Sequence, residues 1–143
     1  MIFLPFVYST VAVGTDGTET AAAAVRHAAD LAKRHGAKLV LLSAFKEGPP
    51  VDASDETQWA HNPAAQTREI LTRTESQLAA EGIECRTIVD EGDPADVLVK
   101  LADECGADIL VIGNKGHQRR LLGSVPREVV QHADCSVFVV KTT

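Results

Sequence analysis

The chain has few basic residues for its size. It carries 14 Lys and Arg against 20 Asp and Glu over 143 residues, which gives a formal net charge of −6 at pH 7. Sequence-independent binding to nucleic acid needs an excess of Lys and Arg to neutralise phosphates. The charge balance therefore predicts a protein that does not bind nucleic acid broadly, and it leaves room only for a small local basic patch.

Cysteine is also scarce. The three cysteines, Cys85, Cys105 and Cys135, lie far apart, and no CxxC pair occurs. An odd number without motif spacing does not suit a disulfide framework. We expect reduced, buried or half-buried structural thiols in a reducing, cytoplasmic compartment.

No apolar run is long enough for a membrane span, which needs about 20 residues. The most apolar segment, residues 1–14, is too short, and it lacks the basic region and cleavage site of a signal peptide. We therefore expect no membrane association. Residues 8–13 are predicted to form a buried strand, and residues 1–7 are an apolar N-terminal extension without an assigned role.

The signatures of catalysis are missing as well. The five histidines show no metal-ligand spacing, and no nucleophile has a histidine and an acid beside it. Neither a Walker A pattern nor a GxGxxG after a strand is present. The sequence predicts no catalytic residue and no metal ligand.

The hydrophobic pattern alternates between short apolar runs and amphipathic segments. Strands are predicted at 8–13, 37–45, 83–92, 107–113 and 135–142, and helices at 20–35, 63–82, 93–106 and 124–134. Helical crossovers imply parallel strands, so we expect one α/β domain over 1–143, with an open parallel five-stranded sheet and helices on both faces. Residues 46–62, polar and rich in Pro and Gly, form a long loop.

One basic, glycine-punctuated stretch, "GNKGHQRRLLGSV", follows the fourth predicted strand at residues 113–125. Gly113 and Gly116 allow backbone amides to approach an anion, and Ser124 precedes a helix whose N-terminus attracts phosphate. The other interpretation is a tight turn with Ser124 as an N-cap and solvated cations. The spacing alone leaves both interpretations open.

A second unusual stretch, "GTDGT" at residues 14–18, follows the first predicted strand. Ligands of open α/β sheets bind outside the carboxyl ends of the strands. Asp16 is therefore a candidate to bind a ribose hydroxyl or a metal-bridged phosphate. It is also a candidate turn or cap residue for the first helix, which the residues alone favour.

Together these stretches resemble the universal stress protein family. The resemblance covers residues 8–143 and is carried by "VAVGTDGTETA", "ADILVIGNKG" and "LLGSVPREVVQHADCSVFVVK". It implies a Rossmann-like fold of the adenine nucleotide alpha hydrolase type, with strand order 3-2-1-4-5. Strands 1 and 4 would then be neighbours, and the two loops would face one crevice.

Many members of that family bind ATP through a G-x2-G-x9-G-[ST] loop. The resemblance implies a nucleotide site that consists of Gly14, Thr15, Asp16, Ala44, Ile112, Gly113, Gly116, Arg119, Gly123, Ser124 and Val125. Only six residues separate Gly116 from Gly123, where the family motif has nine. We expect the side chains of Arg119 and Arg120 to reach phosphates that the shortened backbone no longer wraps.

The resemblance implies a universal stress protein that binds an adenine nucleotide in stress response or signalling. ATP, with or without Mg²⁺, is the first expectation, and AMP and cAMP are the alternatives. The apolar edge strand at residues 136–141 predicts a homodimer. The competing hypotheses are a dimeric interaction module that needs no nucleotide and, more weakly, a slow ATP-hydrolysing enzyme.

Overall fold

The structure is a computed structural model that describes residues 4, 6–47, 62–114 and 121–141. Strands and helices alternate along the chain. Their bounds are β1 Thr10–Gly14, α1 Glu19–His35, β2 Lys38–Phe45, α2 Pro63–Ala80, β3 Arg86–Glu91, α3 Pro94–Glu104, β4 Ile109–Asn114, α4 Ser124–His132 and β5 Ser136–Lys141. The predicted α/β class and the predicted order of elements are confirmed.

The five strands form one parallel sheet in the order β3-β2-β1-β4-β5. β1 is the central strand, with Val13 opposite Leu41 of β2 on one side and Val111 of β4 on the other. The chain leaves β1 for β2 in one direction and reaches β4 in the other, so the carboxyl ends of β1 and β4 flank the point where the strand order reverses. The implied order 3-2-1-4-5 is confirmed.

Both faces of the central strands are buried, as expected for a parallel sheet between two layers of helices. On one face, Val13 and Val111 pack in a cluster with residues of α1 and with Leu71 of α2. On the other face, Leu110 and Ile112 pack with residues of α3 and α4. The two helical layers therefore hold the sheet rigid beneath the loops at its carboxyl edge.

The ends of α1 agree with the sequence. Thr18 is the N-cap, and its hydroxyl accepts a hydrogen bond from the Ala21 amide at 3.2 Å. Gly36 ends the helix with φ 63°, a left-handed conformation that glycine adopts without a Cβ penalty. At α3, Asp93 holds the N-cap position as predicted, but its side chain makes no capping hydrogen bond. Its carboxylate lies 3.6 Å from the Lys46 ammonium instead.

The interpretation of Ser124 as an N-cap is wrong. The N-cap of α4 is Gly123, and Ser124 is the first helical residue. Gly123 has no side chain to cap the helix, and its amide hydrogen bonds to the side-chain oxygen of Asn114 at 2.9 Å. The side chain of Asn114, on β4, thus holds the residue that precedes α4, while no side chain caps the helix.

The apolar residues before β1 are exposed in the part that the structure describes. Leu4, Phe6 and Val7 lie largely in solvent. Tyr8 attaches the segment to α1, because its amide donates to His35 Nδ1 at 3.1 Å and its ring lies 4.7 Å from the imidazole. Of the predicted loop at 46–62, residues 48–61 lie outside the described ranges. None of the described helices is long and apolar enough to cross a bilayer.

All three cysteines are free and half-buried, as predicted. Burial is the main cause that raises the pKa of Cys85, Cys105 and Cys135 above the ordinary thiol value. A raised pKa keeps a thiol protonated and poorly nucleophilic at neutral pH. This state fits the structural role expected from the sequence.

Candidate functional site

A cavity of about 330 Å³ opens at the carboxyl edge of the sheet, between the ends of β1 and β4. Its volume is within the range of small-molecule sites, about 300–1,000 Å³. The cavity lies where the strand order reverses. It is lined by Gly14, Thr15, Asp16, Thr20, Ala21, Ser43, Ala44, Pro94, Leu98, Ile112, Gly113, Gly123, Ser124, Val125 and Pro126.

The cavity brings together every predicted site residue that the structure describes. Gly14 ends β1, Thr15 and Asp16 follow it in the loop, and β2 supplies Ala44. The other described residues of the predicted set, Ile112, Gly113, Gly123, Ser124 and Val125, line the opposite wall. Gly116 and Arg119 lie outside the described residues, so their predicted roles stay predictions.

The loop after β1 is held by short hydrogen bonds within its own segment and to β2. The Thr15 amide donates to the Leu42 carbonyl at 2.9 Å, and the buried Ser43 hydroxyl donates to the Thr15 carbonyl at 2.7 Å. Asp16 Oδ1 accepts from both the amide and the hydroxyl of Thr18, at 3.0 and 2.7 Å. Asp16 therefore shapes the turn into α1, as the residues alone favoured, and it also lines the cavity.

Gly113 lies on the opposite wall, in close contact with the start of α1. A Cβ at Gly113 would lie 2.8 Å from both the Thr20 carbonyl oxygen and Thr20 Cγ2. A backbone atom cannot rotate away from such a contact, so β4 and α1 can approach this closely only because residue 113 is glycine. The glycine fixes the relative position of two segments that both line the cavity.

The N-terminus of α4 forms the rest of that wall. The first N–H groups of a helix have no acceptor within the helix, and the helix dipole gives this end a partial positive charge. Ser124 and Val125 are the first two residues of α4 and line the cavity, and Pro126, the third, has no N–H to leave unpaired. Anions bind readily at such a helix end.

The charge of the cavity is unusual for a phosphate site. Asp16 is the only charged residue among the described residues that line it, and no described Lys or Arg does so. Within that lining, the partial positive charge that can attract an anion comes from helix N-termini, at Ser124 and Val125 of α4 and at Thr20 and Ala21 of α1. The cations of the basic stretch, Lys115, Arg119 and Arg120, lie outside the described ranges.

Sequence reasoning missed part of the lining, namely Thr20, Ala21, Ser43, Pro94, Leu98 and Pro126. One signal for Ser43 was available, because it is the only hydroxyl in the otherwise apolar strand "LVLLSAF". Pro94 and Leu98 are spaced i, i+4 at the start of α3, so they lie on one face of that helix. Nothing in the sequence showed that this face closes the cavity.

Three exposed carboxylates come together between α3 and α4. An oxygen of each of Asp93, Asp96 and Glu128 lies within 4.8 Å of the others. The cluster adjoins two residues that line the cavity. Pro94 lies between Asp93 and Asp96 in the chain, and Pro126 lies two residues before Glu128. The cluster adds negative charge near the cavity, which does not favour a highly charged ligand. The absence of a resident metal stays a prediction.

Comparison with known proteins agrees with the resemblance. The profile of the universal stress protein family matches residues 8–141. A universal stress protein of Mycobacterium tuberculosis is 39% identical to this chain over an alignment of 146 positions. The alignment covers 95% of this chain and 98% of that protein. A crystal structure of a universal stress protein in complex with cAMP matches with a TM-score of 0.75 and 33% identity, covering 96% of this chain and 100% of that one. The Archaeoglobus fulgidus universal stress protein in complex with dAMP matches with a TM-score of 0.71 and 26% identity, covering 95% and 100%.

Proposed function

Because the chain belongs to the universal stress protein family, we propose that it binds an adenine nucleotide in the cavity between β1 and β4 and acts in stress response or signalling. The observation that carries the proposal is the cavity itself, which places an apolar recess beside a helix N-terminus at the strand-order reversal. Two structural relatives were solved with cAMP and with dAMP, both adenine nucleotides that carry one phosphate. These ligands support an adenine nucleotide as the ligand of this chain.

The apolar part of the cavity suits a nucleoside. Ala44, Leu98, Ile112 and Val125 contribute aliphatic surface from four different elements. A flat base and the carbon face of a ribose gain from burial against such surface. The family resemblance assigns the backbone of Ala44 to the adenine edge and Asp16 to the ribose, and we adopt both assignments in the proposal.

The polar part of the cavity suits one phosphate better than three. The α4 N-terminus offers the amides of Ser124 and Val125, which match a single anionic group. No described cation lines the cavity, and the carboxylates of Asp93, Asp96 and Glu128 lie nearby. We therefore propose that AMP or cAMP binds at this site with the described residues alone, and that ATP binds only if Arg119 reaches the outer phosphates.

A nucleotide series tests this proposal. A ligand that binds only the folded state raises Tm, by an amount equivalent to about 2.7 kcal/mol at a ligand concentration of one hundred times Kd. We expect AMP and cAMP to raise Tm in a thermal-shift assay, and guanosine monophosphate, as control, to raise it less. No shift with any adenine nucleotide at millimolar concentration contradicts the proposal and favours the interaction module that needs no nucleotide.

The same thermal-shift assay, with ATP as the ligand, tests whether Arg119 contacts the outer phosphates. If Arg119 contacts outer phosphates, Arg119→Ala weakens ATP binding, with or without Mg²⁺, and leaves AMP binding unchanged. Equal losses for ATP and AMP would mean that Arg119 does not reach those phosphates. A wild type that binds AMP and cAMP but not ATP would refute the expectation of ATP as the ligand.

We also propose that the chain forms a homodimer through β5. This strand is an edge of the described sheet, and Phe138 on it and Val130 on α4 are large apolar side chains exposed to solvent. An apolar sheet edge favours association with another chain, and a second copy supplies the same apolar surface.

Phe138→Glu tests the dimer, because it places a charge in the proposed contact. We expect size-exclusion chromatography with light scattering to give twice the monomer mass for the wild type and a shift toward monomer for the variant. Leu4→Glu, an exposed apolar residue far along the chain from β5, is the matched control and should stay dimeric. A monomeric wild type at micromolar concentration excludes this dimer.

A further inference from the structure

Asn114 is the last residue of β4, and its polar side chain is buried, with 4% of its surface exposed. Its amide group hydrogen bonds to two of the described residues that follow β4. Nδ2 donates to the Leu121 carbonyl at 3.0 Å, and Oδ1 accepts from the Gly123 amide at 2.9 Å. One side chain thus joins the end of β4 to Leu121 and Gly123, two of the residues that lead into α4.

These bonds connect two walls of the cavity without using the residues between them. Gly113, immediately before Asn114, is held against Thr20 by close packing. Gly123, at the other end of the bonds, is the N-cap of α4 and has no side chain with which to cap it. Asn114 therefore ties the residues at the start of α4 to the end of β4, in addition to the packing of Val129 in the core.

A buried side-chain amide in this position has a defined energetic role. Removing it leaves the Gly123 amide and the Leu121 carbonyl without this partner, which weakens the attachment of α4 to the end of β4. The first turn of α4 would then gain freedom to move away from β4. Ser124 and Val125, which line the cavity immediately after Gly123, would move with it.

We propose that Asn114 is a positioning residue of the nucleotide site, which holds the α4 amides at the distance a ligand phosphate requires. The inference rests on the proposed function and goes beyond it, because it names a residue that lies outside the cavity lining and acts through Gly123. It also gives a physical reason why a loop three residues shorter than the family motif keeps its phosphate-binding helix in place.

The expected effect is specific to the phosphate. Asn114→Leu replaces the amide by an apolar side chain of similar size and removes both hydrogen bonds. Asn114→Ser keeps a polar side chain that is too short to reach both partners. We expect each variant to weaken AMP binding by about tenfold or more and to change adenosine binding little, because adenosine does not use the α4 amides. The ratio of Kd for adenosine to Kd for AMP, measured by calorimetry, should therefore fall toward one.

A general loss of stability would not produce that result. Val129→Ala truncates a fully buried residue of the same helix and leaves the Asn114 bonds intact. We expect Val129→Ala to lower Tm and to retain the wild-type ratio. Amide hydrogen exchange adds a readout without ligand, in which Gly123 should exchange about five- to tenfold faster in Asn114→Ser than in the wild type.

The outcomes separate the two proposals. A wild type that binds neither AMP nor adenosine overturns the proposed function, and the positioning role with it. A wild type that binds AMP, with Asn114 variants that keep the wild-type ratio and the wild-type Gly123 exchange, overturns the positioning role alone. A lower ratio and faster Gly123 exchange in the Asn114 variants, both unchanged in Val129→Ala, support it.

Discussion

Replacing Gly113 by alanine is expected to destabilise the protein by about 1–3 kcal/mol, the usual cost of overpacking a closely packed site. The added Cβ would meet the Thr20 carbonyl oxygen at 2.8 Å, and only a displacement of α1 from β4 relieves that contact. For a domain of about 150 residues, each kcal/mol lowers Tm by roughly 2–4 °C. The expected fall is therefore on the order of 2–12 °C, measured by calorimetry without ligand.

Nucleotide binding should weaken in the same variant. Gly113 and Thr20 both line the cavity, so a displacement that relieves their contact changes its width. Gly123→Ala is the matched control for stability, since a Cβ there would lie 3.4 Å from Asn114 Oδ1 and 3.7 Å from Pro126, at ordinary contact distances. Its φ of −63° is open to any residue. If both variants lost stability equally, the close contact between Gly113 and Thr20 would not be the cause.

Leu98→Trp is expected to abolish nucleotide binding while the protein stays folded. Leu98 projects from α3 into the cavity, against the end of β1, where its Cδ1 would lie 3.0 Å from a Cβ at Gly14. An indole ring that extends into this cavity of about 330 Å³ would occupy the space proposed for the base. We expect no change of Tm on addition of AMP or cAMP at concentrations that raise the wild-type Tm.

Leu98→Met is the matched control for this variant. Leucine and methionine have similar volumes, and such exchanges usually cost less than about 1.5 kcal/mol. The methionine variant should bind AMP as the wild type does. If a folded Leu98→Trp protein still binds AMP, the assignment of the cavity to the base is contradicted. If circular dichroism shows that the variant is unfolded, the tryptophan side chain cannot be accommodated in the cavity.

The residues themselves predicted the architecture well. The central strands are nearly continuous apolar runs, and helix signals such as Thr18 and Gly36 fall at the observed ends of α1. The residues alone did not predict the strand order, because residue patterns show which segments are strands and not which strands are neighbours. The order came from the family resemblance, and the structure confirms it.

The parts of the site that sequence reasoning missed depend on contacts between distant elements. Leu98 is an ordinary apolar helix position in the sequence, and its place in the cavity follows from how α3 packs on β2 and against α4. A local rule made Ser124 a candidate N-cap, but the N-cap of α4 is Gly123, whose amide donates to Asn114, nine residues earlier in the chain. Local rules cannot detect such bonds, because they arise only when β4 and α4 are brought together by the fold.

The central claim is that an adenine nucleotide binds between the end of β1 and the N-terminus of α4. A titration of the isotope-labelled protein with AMP, followed by the backbone amide resonances, tests it most directly. We expect saturable shifts at the amides of Gly14, Thr15, Asp16, Ser124 and Val125, with little change at Phe138 on the edge strand β5. No shift at these residues at millimolar AMP, or shifts confined to β5, would contradict it.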